Sequence, residues 1–201
     1  MANLALTDSE TLEEVIECLA ENFSIQTQGA CDKKTLFEIV VRAAASRDSI
    51  ENTAKILNKI PSGNDIRYHL DKINKFEDLE VQINQALKSR VPIGVKNGCH
   101  SLAVDLNLIP YYGEPSLEEL PYIYRSQAKS GTCSFYAYAT LYVLTKRKRV
   151  TLAIRGVRWL DTNVAIITYL LAELEAFNIK VKKLYLDRGF LAFLLFDGYR
   201  H

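Results

Sequence analysis

The residues best placed to do chemistry are two aspartates. Asp105 sits at the centre of an apolar run, Leu102-Ala103-Val104-Asp105-Leu106-Asn107-Leu108-Ile109, which Pro110-Tyr111-Tyr112-Gly113 follows. Asp187 ends a second strand-like run, Val181-Lys182-Lys183-Leu184-Tyr185-Leu186-Asp187, and Arg188-Gly189 gives that run a tight exit. An ionised carboxylate in an apolar strand is costly unless it is paired, hydrogen-bonded or bound to metal. Placed on neighbouring strands, the two acids form a platform for a divalent cation. Magnesium takes hard oxygen ligands and is often held by only one or two carboxylates, with water and substrate phosphates filling its shell. Single aspartates at strand ends also serve as caps and loop hydrogen-bonders, and that reading stays open on spacing alone.

The elements that must bring the acids together are legible between them. Phe135 to Leu144 and Val150 to Val157 read as a hairpin whose basic tip is Lys146-Arg147-Lys148-Arg149. Asp161 or Thr162 caps a helix carrying Val164, Ile167, Leu171, Leu174 and Ala176, and Asn178 stops it. The order is then strand, strand, strand, helix, strand, with Pro110 to Ser130 as a loop. A helix between two strands is a crossover and favours a parallel pair. If the last strand lies parallel beside the first, Asp105 and Asp187 meet near the carboxyl ends, where open α/β sheets gather ligands.

The first half has no strand pattern. Thr7 with Glu10 forms a capping box before Leu12, Val15, Ile16 and Leu19. Asp32 caps a second helix with Leu36, Ile39, Val40 and Ala43 on its face. Asp48 and Glu51 repeat the capping pattern before Ile50, Ala54 and Leu57, and Pro61-Ser62-Gly63-Asn64 stops that helix. Ile66, Leu70 and Ile73 mark a fourth helix, and Leu79, Ile83, Ala86 and Leu87 a fifth. The Ile50 and Asn64 helices form a short helix-turn-helix candidate, with Arg67, Tyr68, His69 and Lys72 off the apolar stripe and free to face a DNA groove. A plain helical hairpin fits the same pattern. The chain divides as a helical, DNA-binding region over 1–90, a linker over 91–98 and a second domain over 99–201.

Composition narrows the classes. The chain has 201 residues, 48% of them apolar, and a net charge of +1. A sizeable core is available, and any basic surface must be local. Cys18, Cys31, Cys99 and Cys133 have no zinc-ligand spacing and read as reduced, mostly buried thiols. The N-terminus has no basic, apolar leader, and no apolar run is long enough to span a membrane. A cytoplasmic location without a membrane partner is expected.

Leu102-Ala103-Val104-Asp105-Leu106 with Ile109-Pro110-Tyr111-Tyr112-Gly113 resembles the first-aspartate block of insertion-sequence transposases with a DDE catalytic domain. Leu184-Tyr185-Leu186-Asp187-Arg188-Gly189-Phe190 resembles their second block, and the acids lie 82 residues apart (187 − 105). The resemblance covers Cys99 to Phe190. It implies an α+β or α/β chain with an all-helical N-terminal region, then a partial RNase H-like mixed sheet of three antiparallel strands, a crossover helix and a parallel fourth strand. It also implies DNA transposition with Mg2+ or Mn2+, in which water attacks a phosphodiester and the freed 3′-hydroxyl attacks target DNA. Asp105 and Asp187 would be the catalytic metal ligands. The partners would be transposon terminal repeats and target DNA, with a homodimer left open.

The family's third acid, a downstream Glu on a helix, has no counterpart. After Asp187 the only acid is Asp197, in an Asp-Gly turn. The expectation is a C-terminally truncated copy with impaired strand transfer. A non-catalytic remnant that recognises transposon ends and another RNase H-like nuclease are the alternatives. Besides Arg67 and Lys72, the residues expected to contact DNA are Lys146, Arg147, Lys148, Arg149 and Arg188. Arg125 and Lys129 are further phosphate contacts to consider, and Tyr111 and Tyr112 either stack on a base or pack a turn. His100 is an odd number of positions from Asp105 and gets no catalytic role, while Trp159 is assigned to the core.

Overall fold

The computed structural model describes residues 7–29, 31–57, 61–73, 76–145, 149–187 and 190. The chain divides into two compact units, Met1–Ala86 and Leu87–His201.

The first unit is helical: α1 (Asp8–Asn22), α2 (Lys33–Ser46), α3 (Ile50–Ile56), α4 (Gly63–Leu70) and most of α5 (Phe76–Arg90). Helices α1 to α4 start where the sequence offers side-chain acceptors for orphan backbone N–H groups. Thr7 and Glu10 form the expected capping box, and Asp32 accepts from Thr35 N at 2.7 Å. That bond, first among several causes, holds the Asp32 carboxyl below its ordinary range. Two expectations need correction. Ser49, not Asp48, caps α3, with Asp48 accepting from Ser49 N instead. And α3 ends at Ile56, ahead of Pro61; Ser62, assigned to the stop, forms a capping box with Asp65 and starts α4. Leu36, Ile39 and Ile66 are fully buried, and Phe23 meets Phe37 edge-on at 5.5 Å.

The second unit is a mixed five-stranded sheet with α6 (Asn163–Ala172) on one face. Its strands are β1 (Cys99–Pro110), β2 (Ile123–Lys129), β3 (Thr132–Leu144), β4 (Arg149–Val157) and β5 (Lys180–Leu186). β3 is antiparallel to β1, and β2 and β4 follow one another along the other edge of β3. From β4 the chain crosses over through α6, which Thr162 caps, and a short 3-10 turn ending at Asn178, and then enters β5 parallel to β1. The segment Pro110 to Ser130, expected to be a loop, contains a 3-10 turn (Leu120–Tyr122) and the whole of β2. Its exposed, charged outer residues hid the strand from a hydrophobic-period reading, because an edge strand needs little apolar alternation.

Strand alternation decides which side chains meet α6. On β3, Phe135, Ala137, Ala139, Leu141 and Val143 are buried, whereas Tyr136, Tyr138, Thr140 and Tyr142 are only half-buried. The buried set packs with Leu102 and Val104 of β1, Leu152 and Ala153 of β4, and Ile166 and Leu170 of α6. Phe190 closes the same core, and its carbonyl accepts from Asn163 Nδ2 at 3.0 Å. Trp159, expected in the core, is 67% exposed beside an apolar groove with Leu117 and Leu120. It sits in the turn between β4 and α6, where no strand or helix face directs it inward. The cysteines are all free, but only Cys31 is buried, while Cys99 and Cys133 are exposed. No helix among the described residues is long and apolar enough to cross a membrane.

Candidate metal and nucleic-acid site

Backbone pairing sets the geometry of the acids. β1 and β5 run parallel with Leu102 opposite Leu184, Ala103 opposite Tyr185 and Val104 opposite Leu186. The next residue on each chain is an aspartate, Asp105 on β1 and Asp187 just past the end of β5. Paired strands lie about 4.8 Å apart, so continuing this ladder by one step sets the two acids side by side. Alternation puts them on one face. Leu184 and Leu186 pack with the core beside Leu102 and Val104, so Asp105 projects with Ala103 and Tyr185 to the side away from α6, the side that a strand continued by one residue gives Asp187.

The third strand completes the row. Asp105 lies opposite Thr140 of β3, and Asn107 lies opposite Tyr138. Asn107 Nδ2 donates to Thr140 Oγ1 at 3.4 Å, and Thr140 Oγ1 donates to the Asp105 carbonyl at 3.5 Å. These bonds tie the backbone and neighbours of Asp105 but leave its carboxylate untouched. That half-buried carboxylate has no hydrogen-bond or ion-pair partner among the described residues. Asp187 is exposed, and its carbonyl accepts from Phe190 N at 2.9 Å, which turns the chain immediately after β5.

The donor set suits a hard divalent cation. Two carboxylates on one face supply oxygen ligands, leaving the remaining positions to water and phosphate oxygens, as magnesium sites commonly do. Among the described residues no group of three or more His, Cys, Asp or Glu side chains is placed to hold a metal. Asp197 lies outside the described residues.

The residues expected to contact DNA are placed unevenly. Arg149 opens β4, is exposed, and holds its guanidinium 5.2 Å from the Tyr142 ring centre. Lys146, Arg147, Lys148 and Arg188 lie outside the described residues. On α4, Arg67 donates to Asn64 Oδ1 at 2.9 Å and lies 3.6 Å from Glu51, while Lys72, just past the end of the helix, stacks over the exposed Tyr68 ring at 4.3 Å. His69 corrects its expectation: it is only 4% exposed, so it belongs to the interior of the helical unit and not to a groove-facing surface. It lies within 3.4 Å of Lys72 Nζ and meets Tyr68 edge-on.

Other candidates make contacts within the sheet unit. Tyr111 meets Tyr136 edge-on at 5.2 Å, and Tyr112, 72% exposed, donates to the Ser130 carbonyl. Arg125 donates to Ser134 Oγ at 2.6 Å across β2 and β3. His100 Nε2 lies 2.9 Å from the Val95 carbonyl, which fixes the turn leading into β1. The sequence reading missed Glu119, whose carboxylate accepts from Tyr136 OH at 3.0 Å. Burial, then that bond, pushes the Tyr136 hydroxyl up to about 12. The sequence signal for it is Ser116 three residues before Glu119, a capping-box spacing inside a stretch assigned to loop. Comparison with protein-family models, with curated proteins and with solved structures gives no match.

Proposed function

We propose that this chain is related to the DDE transposases of insertion sequences and acts on DNA phosphodiesters through a metal site formed by Asp105 and Asp187. The observation that carries the reading is the β1–β5 register, which ends one residue short of an aspartate on each chain, on the same face. The strand order from β4 through β3 and β1 to β5, with α6 as the crossover, supports an RNase H-like core for the sheet.

In this reading the two carboxylates bind and orient, and Thr140 and Asn107 hold β1 and β3 so that the acid row keeps its shape. A bound divalent ion supplies polarisation of the phosphate and stabilisation of the attacking and leaving oxygens. Arg67, Lys72 and Arg149, with Lys146, Arg147, Lys148 and Arg188, neutralise backbone phosphates, a contribution that gives affinity without sequence information. Two acids form a one-metal platform, so slow strand cleavage is the expected activity and efficient joining of ends is not.

The test is nicking of supercoiled plasmid by the purified chain in Mg2+ or Mn2+. Asp105→Asn and Asp187→Asn should each slow it at least about a hundredfold, the scale of losing one preorganised electrostatic contact. Binding in EDTA should persist in both variants. Equal nicking by the wild type and both variants would overturn the assignment. Binding without any metal-dependent nicking would support the second reading, a protein that recognises DNA and does no chemistry.

A further inference from the structure

The face of the sheet that carries the acids also carries a pattern of tyrosines. Reading across the strands, Tyr142 of β3, Ala103 of β1 and Tyr185 of β5 form one row. Thr140, Asp105 and the following Asp187 form the next, and Tyr138 with Asn107 the one after. Tyrosines thus stand on both sides of the acid row, at the diagonal positions that lie about 7–8 Å away in a sheet. Gly156 of β4 lies opposite Tyr138, so that ring has no bulky cross-strand neighbour on its outer side. Between Tyr142 and Tyr185 the small Ala103 leaves a low floor between two rings.

These rings are not absorbed into a core. Tyr138 and Tyr142 are half-buried although their β3 neighbours Ala137, Ala139, Leu141 and Val143 are sealed, and Tyr185 is 49% exposed. A half-buried aromatic offers a ring face while its hydroxyl stays wet. Cations on this face, among the described residues, include Arg149, stacked at Tyr142, and Lys183, exposed two residues before Tyr185. Aromatic rings backed by cations are the combination that binds unpaired nucleotides: the rings stack on bases and the cations pair with phosphates. A duplex keeps its bases stacked inside and cannot use the rings. The surface therefore favours single strands over both duplex DNA and an apolar protein partner, which would bury the Asp105 carboxylate with nothing to offset its charge.

We propose that Tyr138, Tyr142 and Tyr185 form a stacking platform for unpaired nucleotides on either side of the Asp105–Asp187 row, so that the nucleic acid engaged on this face is single-stranded where it crosses the acids. The inference deepens the metal-site reading by naming the form of the substrate, and it rests on that reading for the role of the acids.

The test uses the full chain in EDTA, with fluorescence anisotropy of a labelled oligothymidylate of about 16 nucleotides, at the upper end of common single-strand site sizes. A hairpin duplex of the same length is the comparison. The single strand should bind at least about tenfold tighter, and Tyr138→Leu or Tyr142→Leu should each weaken it roughly five- to 150-fold, the range of one lost base stack. Leu preserves apolar cover for the sheet, and Tyr138→Phe and Tyr142→Phe, which keep the ring, should restore binding. Equal affinity for strand and duplex, or Leu variants that bind like the wild type, would overturn the platform. If plasmid nicking still needs Asp105 and Asp187 in that case, the metal site survives without it. If tyrosine-dependent binding is present and nicking is absent, the platform stands and the catalytic reading falls.

Discussion

The two units handle charge and polarity in opposite ways. In the helical unit the contacts that shape the helices are mostly local, although Ser24 N donates to Gln82 Oε1 and Lys34 meets Glu17 across helices. Arg42 meets Glu38 and Lys55 meets Glu51 one turn apart, and caps join residues three positions apart at Thr7, Asp32, Ser49 and Ser62. In the sheet unit the consequential neighbours come from distant parts of the chain. Asp105 is brought beside Thr140 by one ladder and toward Asp187 by another. The difference shows where each kind of residue can work. Locally satisfied charges hold a helix and have little left to offer a ligand, whereas a carboxylate carried on a strand by non-local pairing can stay available.

If that contrast is right, the largest stability effect should come from the long-range core. Leu141 of β3 is fully buried in the core of the sheet unit. Leu141→Ala should cost about 2–5 kcal/mol of unfolding free energy by chemical denaturation. A loss below about 1 kcal/mol would mean that the sheet is not held by this packing. A smaller effect belongs to the helices: Ser62→Ala removes the α4 cap and should cost roughly 0.5–2 kcal/mol, read by circular dichroism melts. No change would show that α4 does not depend on its cap.

The smallest effect is at high pH. Burial and the Glu119 bond raise the Tyr136 hydroxyl to about 12 in the folded protein. The folded state therefore keeps this proton when the unfolded chain begins to lose it. The stabilisation is complete below the ordinary tyrosine range near pH 10 and fades as pH rises from there towards 12. Tyr136→Phe should flatten that decline, measured as stability against pH. An identical decline in the variant would place the titration elsewhere.

What could be read from the sequence follows the same division. Caps and apolar periods act over three or four residues, so Thr7, Asp32 and the helix faces were legible directly. The β1–β5 pairing was legible too, because the β4–α6–β5 order leaves a parallel neighbour as the simplest course for the chain. β2 was not, since an edge strand with outward Arg125 and Lys129 carries no alternation to read. Trp159 and His69 were misplaced for complementary reasons. Residue type assigned them to the core and to the surface, whereas a turn exposes the first and helix packing buries the second. The tyrosine rows around the acids become apparent only when β3, β1 and β5 are set in register, because nothing in the local sequence ties Tyr138 or Tyr142 to Tyr185.

The central claim is that Asp105 and Asp187 are neighbours on one face. Disulfide trapping tests it without metal or DNA. With Cys18, Cys31, Cys99 and Cys133 replaced by Ser, the pair Asp105→Cys and Asp187→Cys should oxidise readily, since adjacent strands set α-carbons within the roughly 4.4–6.8 Å that a disulfide spans. Leu106→Cys with Asp187→Cys should not, because Leu106 points to the opposite face. Rapid crosslinking of the first pair alone is the predicted result. No crosslink in the first pair, or equal crosslinking in both, would contradict the account.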